Sequence, residues 1–138
     1  PEKKMSKSSD NPKGVIKLLD NLDVIRKKIM SATTDSEMVI KYDMEKKPGI
    51  SNLINIYSAL TGLSIKEIEN KFLGYNYGDF KKEVSEVVVK EVAKIQERYE
   101  EILESSYLDE VLDQGALKTR EIAKNKYFLM KERIGLGR

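Results

Sequence analysis

The sequence contains no cysteine and no histidine, and these two absences remove several kinds of site. Without cysteine there can be no disulfide, no thiolate metal ligand and no cysteine nucleophile, and nothing points to an oxidising compartment. Without histidine there can be no Ser-His-Asp triad, no imidazole metal ligand and no histidine acid–base chemistry. Any functional site must therefore be built from other side chains.

The sequence also has no long hydrophobic run and no strong excess of one charge. No apolar stretch approaches the roughly 20 residues that a membrane-spanning helix needs, and the chain does not open on a signal peptide. We therefore expect a cytoplasmic protein with no membrane partner. The net charge of +2 is too small to indicate nucleic-acid binding, so any such binding must come from local patches.

What is present suits one helical domain. The 138 residues are 40% apolar and 35% charged, which fits a thin core beneath a heavily charged surface. Apolar residues recur every three or four positions, so we predict an all-α helical bundle with short turns and no internal repeat. The predicted helices are a short one that begins at Pro12 with Asn11 as its N-cap and carries Val15, Ile16, Leu18 and Leu19, and further ones over 20–32, 50–61, 64–73, 80–104 and 106–134. We expect Gly62 to end the helix before it, Ser64 and Glu67 to form a capping box, and Ser106 to cap the last helix.

The first residues carry a compact group of lysines and serines. Lys4 to Ser8 spell KMSKS, which places the ammonium groups of Lys4 and Lys7 three residues apart, with the hydroxyls of Ser6 and Ser8 between and beside them. Two unit charges about 4 Å apart interact by about 1 kcal/mol in water and about 4 kcal/mol at an effective dielectric of 20. These lysines would therefore act most strongly on a polyphosphate from which water is excluded.

The segment around this motif predicts a mobile loop. Residues 1–11 show no apolar periodicity, and Met5 is their only large apolar side chain, which suggests an anchor for the closed loop. On its five letters alone the motif fits an ordinary polar tail better. The chain also begins with proline rather than methionine, inside this dense segment, so we expect a fragment of a longer protein.

The surroundings of the motif favour a functional interpretation. KMSKS followed by SDNP and a Leu-Leu-Asp helix resembles the second signature of class I aminoacyl-tRNA synthetases. The later strings TTDSE, KYD and KPGISNLINIYSALTG, and then YGDFKKEV, IQERY, LDEVLDQGA and IGLGR, are similar to the tryptophanyl branch. The resemblance covers the whole chain. The tyrosyl branch is the nearest alternative, but KPGISNL and TDSE favour the tryptophanyl one.

This resemblance implies a function that the periodicity does not show. Enzymes of the family use ATP and Mg²⁺ to form tryptophanyl-adenylate from L-tryptophan, release pyrophosphate and pass tryptophan to its tRNA. It implies that Lys4 and Lys7 are catalytic, with Lys7 weighted most, and stabilise the pyrophosphate end of ATP. It implies that Met5, Ser6 and Ser8 complete the ATP-binding loop and that the parent is a homodimer. From the residue types alone we expect no metal site in the chain.

The resemblance also divides the chain and exposes what it lacks. We predict that residues 1–11 are the end of a catalytic domain and that residues 12–138 are an α-helical anticodon-binding region. The other class I signature, HIGH, needs histidine, and the Rossmann-like domain and tryptophan pocket that normally precede KMSKS are absent here. We therefore expect this chain alone to be inactive.

Individual residues keep two interpretations each. Arg26, Lys27, Lys28, Lys46 and Lys47 could contact tRNA phosphates, but a solvated face is the more common role of such residues. Two tyrosines, Tyr75 and Tyr77, fit stacking on an anticodon base less well than packing a turn between helices. The carboxylates of Asp35, Glu37 and Asp43 could suggest a metal cluster, but hydrogen bonds in caps and turns fit these residues better.

Two other functions compete with the synthetase fragment. One is a stand-alone helical module that binds tRNA and happens to keep the lysine loop. The other is a plain protein-interaction bundle in which KMSKS is a tail. The first requires salt-dependent RNA binding, and the second requires no dependence on nucleotide or tRNA.

Overall fold

The computed structural model describes residues 12–136, and all the regular structure in this range is helical. This confirms the predicted all-α class. A short 3₁₀ helix, Pro12–Gly14, comes first. Five α-helices follow: α1 (Leu22–Met30), α2 (Pro48–Thr61), α3 (Ile65–Lys71), α4 (Tyr77–Leu103) and α5 (Tyr107–Arg133).

The described residues fall into two compact units. One runs to Gln96, and the other starts at Glu97, so helix α4 belongs to both. No helix within residues 12–136 is both long enough and apolar enough to cross a membrane.

The first unit contains the whole hydrophobic core. Its centre is a group of rings, in which Phe72 meets Phe80 and Tyr57 edge-on at centroid distances of 4.8 and 5.4 Å. Edge-to-face pairs of this kind contribute beyond the area they bury. The buried apolar residues are Ile25, Ile29, Ile40, Ile50, Leu53, Ile54, Tyr57, Ile68, Phe72, Tyr77, Phe80, Val84, Val88, Val89 and Val92.

The ends of α2 and α3 follow from local sequence signals. Gly62 closes α2 in the left-handed conformation, with φ of 76°, where its backbone N–H donates to the carbonyl of Ser58. Ser64 and Glu67 then form the predicted capping box at the start of α3.

Two local predictions were wrong, and a third falls on a residue that the structure does not describe. No α-helix covers Val15 to Leu19, because the exposed side chains there find no core in the described chain to bury against. The N-cap predicted at Asn11 lies outside the described residues. At the start of α5, the backbone N–H of Tyr107 donates to the hydroxyl of Ser105 rather than to that of Ser106, which makes no capping bond to the helix backbone.

The second unit is helical but has no buried residue on α5. Its apolar positions, Leu108, Val111, Leu112, Ile122, Met130 and Ile134, are all exposed. The predicted periodicity was therefore right about the helix, but it does not mark a buried face within the described chain.

Gly49 allows two backbone segments to approach closely, which yields a stability prediction. A Cβ at Gly49 would lie 2.2 Å from the carbonyl oxygen of Thr33, whereas one at Gly14 meets nothing within 4 Å. Gly49→Ala should therefore lower the free energy of unfolding by about 1–3 kcal/mol through overpacking. Gly14→Ala is the matched control and should lie within about 0.5 kcal/mol of the parent. Equal denaturant midpoints for the two variants would contradict this contact.

Candidate functional site

The lysine–serine motif lies outside the described residues. The structure therefore gives no geometry for Lys4, Met5, Ser6, Lys7 or Ser8, and their catalytic and ATP-binding roles stay predictions.

A cleft of about 450 Å³ lies in the first unit, where the described chain begins. Its walls come from the 3₁₀ helix, the end of α1 and the start of α2. The apolar part of the lining is Ile16, Ile29, Ala32, Leu53 and Ile56, and the polar part is Lys13, Lys28, Ser31, Thr33 and Asn52.

The charge of Lys28 in this cleft is already balanced. Its Nζ lies 2.6 Å from Asp20 Oδ2 and donates to the carbonyl of Val15, also at 2.6 Å. The hydrogen bond from Lys28 lowers the pKa of Asp20, helped by a second bond from the backbone N–H of Lys17. Lys28 therefore fixes the chain between the 3₁₀ helix and α1, and it is not an open phosphate ligand.

A buried ion network joins the 33–47 loop to the start of α4. The Lys47 side chain is only 7% exposed, and its Nζ lies 3.0 Å from Asp35 Oδ1 and 2.7 Å from Glu37 Oε2. The Tyr77 hydroxyl lies 2.7 Å from the same Asp35 oxygen, 3.1 Å from the carbonyl of Val39 and 3.3 Å from Lys47 Nζ. These contacts match a buried cation with two carboxylates, which is the condition for burying it.

The network shifts the pKa values of its members. Burial works to raise the pKa of Asp35, but hydrogen bonds from Tyr77, Lys47 and the backbone N–H of Glu37 outweigh it and lower the value to about 2. The pKa of Lys47 is raised, first by its hydrogen bond with Glu37 and then by Asp35, against the opposing effect of burial. Asp35 and Lys47 are therefore a stable ion pair at neutral pH, and neither is suited to exchange protons there.

The five cations considered as phosphate contacts lie in different environments. Both interpretations of Lys47 are wrong, because its side chain is buried rather than solvated and its charge is used inside the network. Lys28 is paired as described. Arg26 makes a two-bond contact with Glu86, at 3.0 and 3.1 Å. Lys27 and Lys46 are exposed, in agreement with a solvated face.

The two tyrosines considered for base stacking, Tyr75 and Tyr77, also differ in their exposure. Tyr77 is buried and begins α4 instead of lying in the predicted aromatic turn, so it cannot stack on a base. Tyr75 is 49% exposed and packs edge-on against Phe72 at 5.4 Å.

The predicted caps and turns are confirmed for two of the carboxylates. Asp35 accepts from the backbone N–H of Glu37, and Asp43 accepts from those of Glu45 and Lys46. Over residues 12–136 no group of three or more potential ligand side chains could hold a metal ion.

Two features escaped the sequence reasoning. One is the Lys47 network, whose partners lie 12 and 30 residues from it along the chain. The other is a change of charge along the second unit, from acidic to basic, that the net charge of the whole chain conceals. A count of charges in short windows would have found the second but not the first.

Comparison with known proteins identifies the family. Residues 1–93 match the family model described as tRNA synthetases class I (W and Y), and the chain belongs to this family. Over all 138 residues it is 49% identical to the tryptophan–tRNA ligase of Halalkalibacterium halodurans and 52% identical to that of Listeria innocua. It spans 42% of the length of each of these relatives.

A solved structure agrees with the sequence comparison. The crystal structure of tryptophanyl-tRNA synthetase from Mycoplasma pneumoniae matches with a TM-score of 0.74 and 33% identity. The match covers 99% of this chain and 43% of that one.

The lowered pKa of Asp35 predicts how stability responds to acid. Its folded-state pKa of about 2 lies below its ordinary 3.8, so its contribution is present above about pH 4 and is lost as the pH falls toward 2. Allowing for the partial exposure of the side chain, this is roughly 1–2 kcal/mol. Asp35→Asn should therefore destabilise the protein at pH 7, and its difference from the parent should shrink between pH 4 and pH 2.

Denaturant titration at several pH values measures this difference. Glu45→Gln is the control, because it removes a carboxylate from the same loop whose exposed side chain makes no hydrogen bond or ion pair within residues 12–136. A difference between Asp35→Asn and the parent that stays constant down to pH 2 would contradict the ion pair.

Proposed function

We propose that this chain is the C-terminal part of a tryptophan–tRNA ligase. The parent enzyme would form tryptophanyl-adenylate from ATP and L-tryptophan and then transfer tryptophan to tRNA(Trp). One observation carries the proposal. Over the full length of the chain, about half of the residues are identical to those of relatives named tryptophan–tRNA ligase. The chain spans about two-fifths of those relatives, so the parent's activity belongs to a longer protein.

The KMSKS segment would supply the charge that adenylate formation requires. When the tryptophan carboxylate attacks the α-phosphate of ATP, negative charge grows on the departing pyrophosphate. We propose that Lys4 and Lys7 lie against that charge and that the hydroxyls of Ser6 and Ser8 donate to phosphate oxygens. Met5 would hold the segment in place through apolar contact. Mg²⁺ would accompany ATP, since Mg²⁺ in such sites is bound largely through substrate phosphates.

The helical residues after this segment would bind tRNA. The all-helical fold of residues 12–136 and its likeness to a tryptophanyl-tRNA synthetase support a tRNA-binding role, with the anticodon as the expected contact. We also propose that the parent is a cytoplasmic homodimer, as the family resemblance implies, and that residue 11 marks the boundary between the catalytic and helical parts.

The start of the proposed tRNA-binding part is held by several contacts among the described residues. Only a few residues after Lys7, the chain is fixed by the Lys28 contacts to Val15 and Asp20. Further along, Gln96 donates to the carbonyls of Leu18 and Asp20 at 2.7 and 2.9 Å, which ties α4 to the same stretch.

A lysine substitution in the full-length enzyme tests the mechanism. Lys7→Ala should lower the rate of tryptophan-dependent pyrophosphate exchange by about 10²–10³-fold, because it removes a charge that acts in the transition state. Tryptophan binding should change by less than about threefold, since the lysine does not act on the amino acid.

Lys3→Ala is the matched control. It removes the same charge one position before the motif and should leave exchange near the parental rate. Full activity of Lys7→Ala, or an equal loss in both variants, would remove the role assigned to the motif.

The 138-residue chain alone should form no adenylate. The adenine and tryptophan sites would lie in the part of the ligase that this chain does not cover. Pyrophosphate exchange by the purified chain, measured against the full-length enzyme, should stay at background. Exchange above background would show that this assignment is wrong.

A further inference from the structure

The second unit changes its charge from one end to the other. Residues 97–115 carry seven carboxylates and one arginine. Residues 116–136 carry six cations and two carboxylates. The basic half of α5 is therefore a local patch of the kind that the net charge of +2 does not reveal.

On this half of α5, three of the cations share a face with two rings. At 100° per residue, Arg120, Lys124, Tyr127, Phe128 and Lys131 fall within an arc of about 100°. We call these five residues the α5 stripe. The other three cations, Lys118, Lys126 and Arg133, lie on the far side of the same helix.

The stripe is exposed, and its charges are not balanced by carboxylates. Tyr127 and Phe128 are 58% and 54% exposed, with ring centroids 6.0 Å apart. Lys124 Nζ lies 5.9 Å from the Phe128 centroid, and Lys131 Nζ lies 5.6 Å from that of Tyr127. In the part of the chain that the structure describes, no ion pair involves any of the six basic residues of this half-helix.

Each cation–ring contact joins residues four apart on one helix. Such contacts keep the ammonium groups beside the rings without neutralising them, so charge and ring face are presented together. This contrasts with the buried Lys47, whose charge is fully used by two carboxylates.

We propose that the α5 stripe is an RNA-binding surface that contacts an unpaired stretch of tRNA, with Arg120, Lys124 and Lys131 on phosphates and Tyr127 and Phe128 on bases. The inference rests on the proposed function and adds to it the residues that make the contact. Cations interleaved with exposed rings match single-stranded RNA, because phosphates and base faces are then met side by side.

The experiment uses the full-length ligase and two variants of equal composition. The stripe variant combines Arg120→Gln, Lys124→Gln and Lys131→Gln. The control variant combines Lys118→Gln, Lys126→Gln and Arg133→Gln and removes the same charge from the far side of the helix. Circular dichroism verifies that both keep the parental helix content.

The stripe variant should raise KM for tRNA(Trp) at least tenfold, and pyrophosphate exchange should stay at the parental rate. Loss of about three phosphate contacts should also reduce the slope of log affinity against log salt by about 2, measured by filter binding of the tRNA. The control variant should change KM less than threefold. Tyr127→Leu with Phe128→Leu should weaken binding without changing the salt slope, because it removes stacking and keeps the charge.

Several results would overturn the inference. Parental KM in the stripe variant, or an equal rise in both triple variants, removes the stripe as the contact. The stripe belongs to another partner if the stripe variant binds tRNA as well as the parent does but no longer adsorbs to phosphatidylserine vesicles or to an acidic peptide. A parent without pyrophosphate exchange refutes the proposed function, whereas a parent that charges tRNA equally well with and without the stripe refutes this inference alone.

Discussion

Burial of a single ammonium group constrains the path of the chain through much of the first unit. A buried cation is costly unless carboxylates and hydrogen bonds match it, and Lys47 meets this condition with Asp35, Glu37 and Tyr77. The partners come from the loop before α2 and from the start of α4, so one charge joins an irregular loop to the first turn of a long helix. Ile40 is buried within that loop and adds an apolar contact to the same arrangement.

The predictable parts of the fold were those set by nearby residues. The left-handed Gly62 and the capping box of Ser64 and Glu67 depend on neighbours within four positions, and both were predicted correctly. The Lys47 network depends on partners 12 and 30 residues away, and no short-range pattern contains that information. The segment after Pro12 failed for a related reason: its apolar residues fit a helix, but helix formation there needed tertiary contacts that the described chain does not provide.

The candidate sites also differ in whether nearby or distant residues determine them. The KMSKS motif is recognisable from five consecutive letters and their surroundings, but it lies outside residues 12–136 and its roles stay predictions. Tyr77 was assigned to a turn although it begins α4, since its burial is decided by Asp35 and Val39 far from it in the chain. The α5 stripe has a helical spacing that is visible in the sequence, yet an average over 138 residues hides it, because the acidic half of the second unit cancels its charge.

The role of each lysine in this protein follows from what already neutralises it. Lys47 and Lys28 are paired with carboxylates and shielded from solvent, so a phosphate could bind them only by breaking those pairs. Lys71 donates to the Tyr57 hydroxyl at 2.6 Å and lies 5.1 Å from the Phe72 centroid, so its stem supports the aromatic core. Within residues 12–136, the ammonium groups of Lys124 and Lys131 interact with rings and with no carboxylate, and rings attract a cation without cancelling its charge. Gain in binding energy is greatest where no protein anion must first be displaced, and among the described residues this favours the exposed helix over the buried network as the place for the proposed RNA contact.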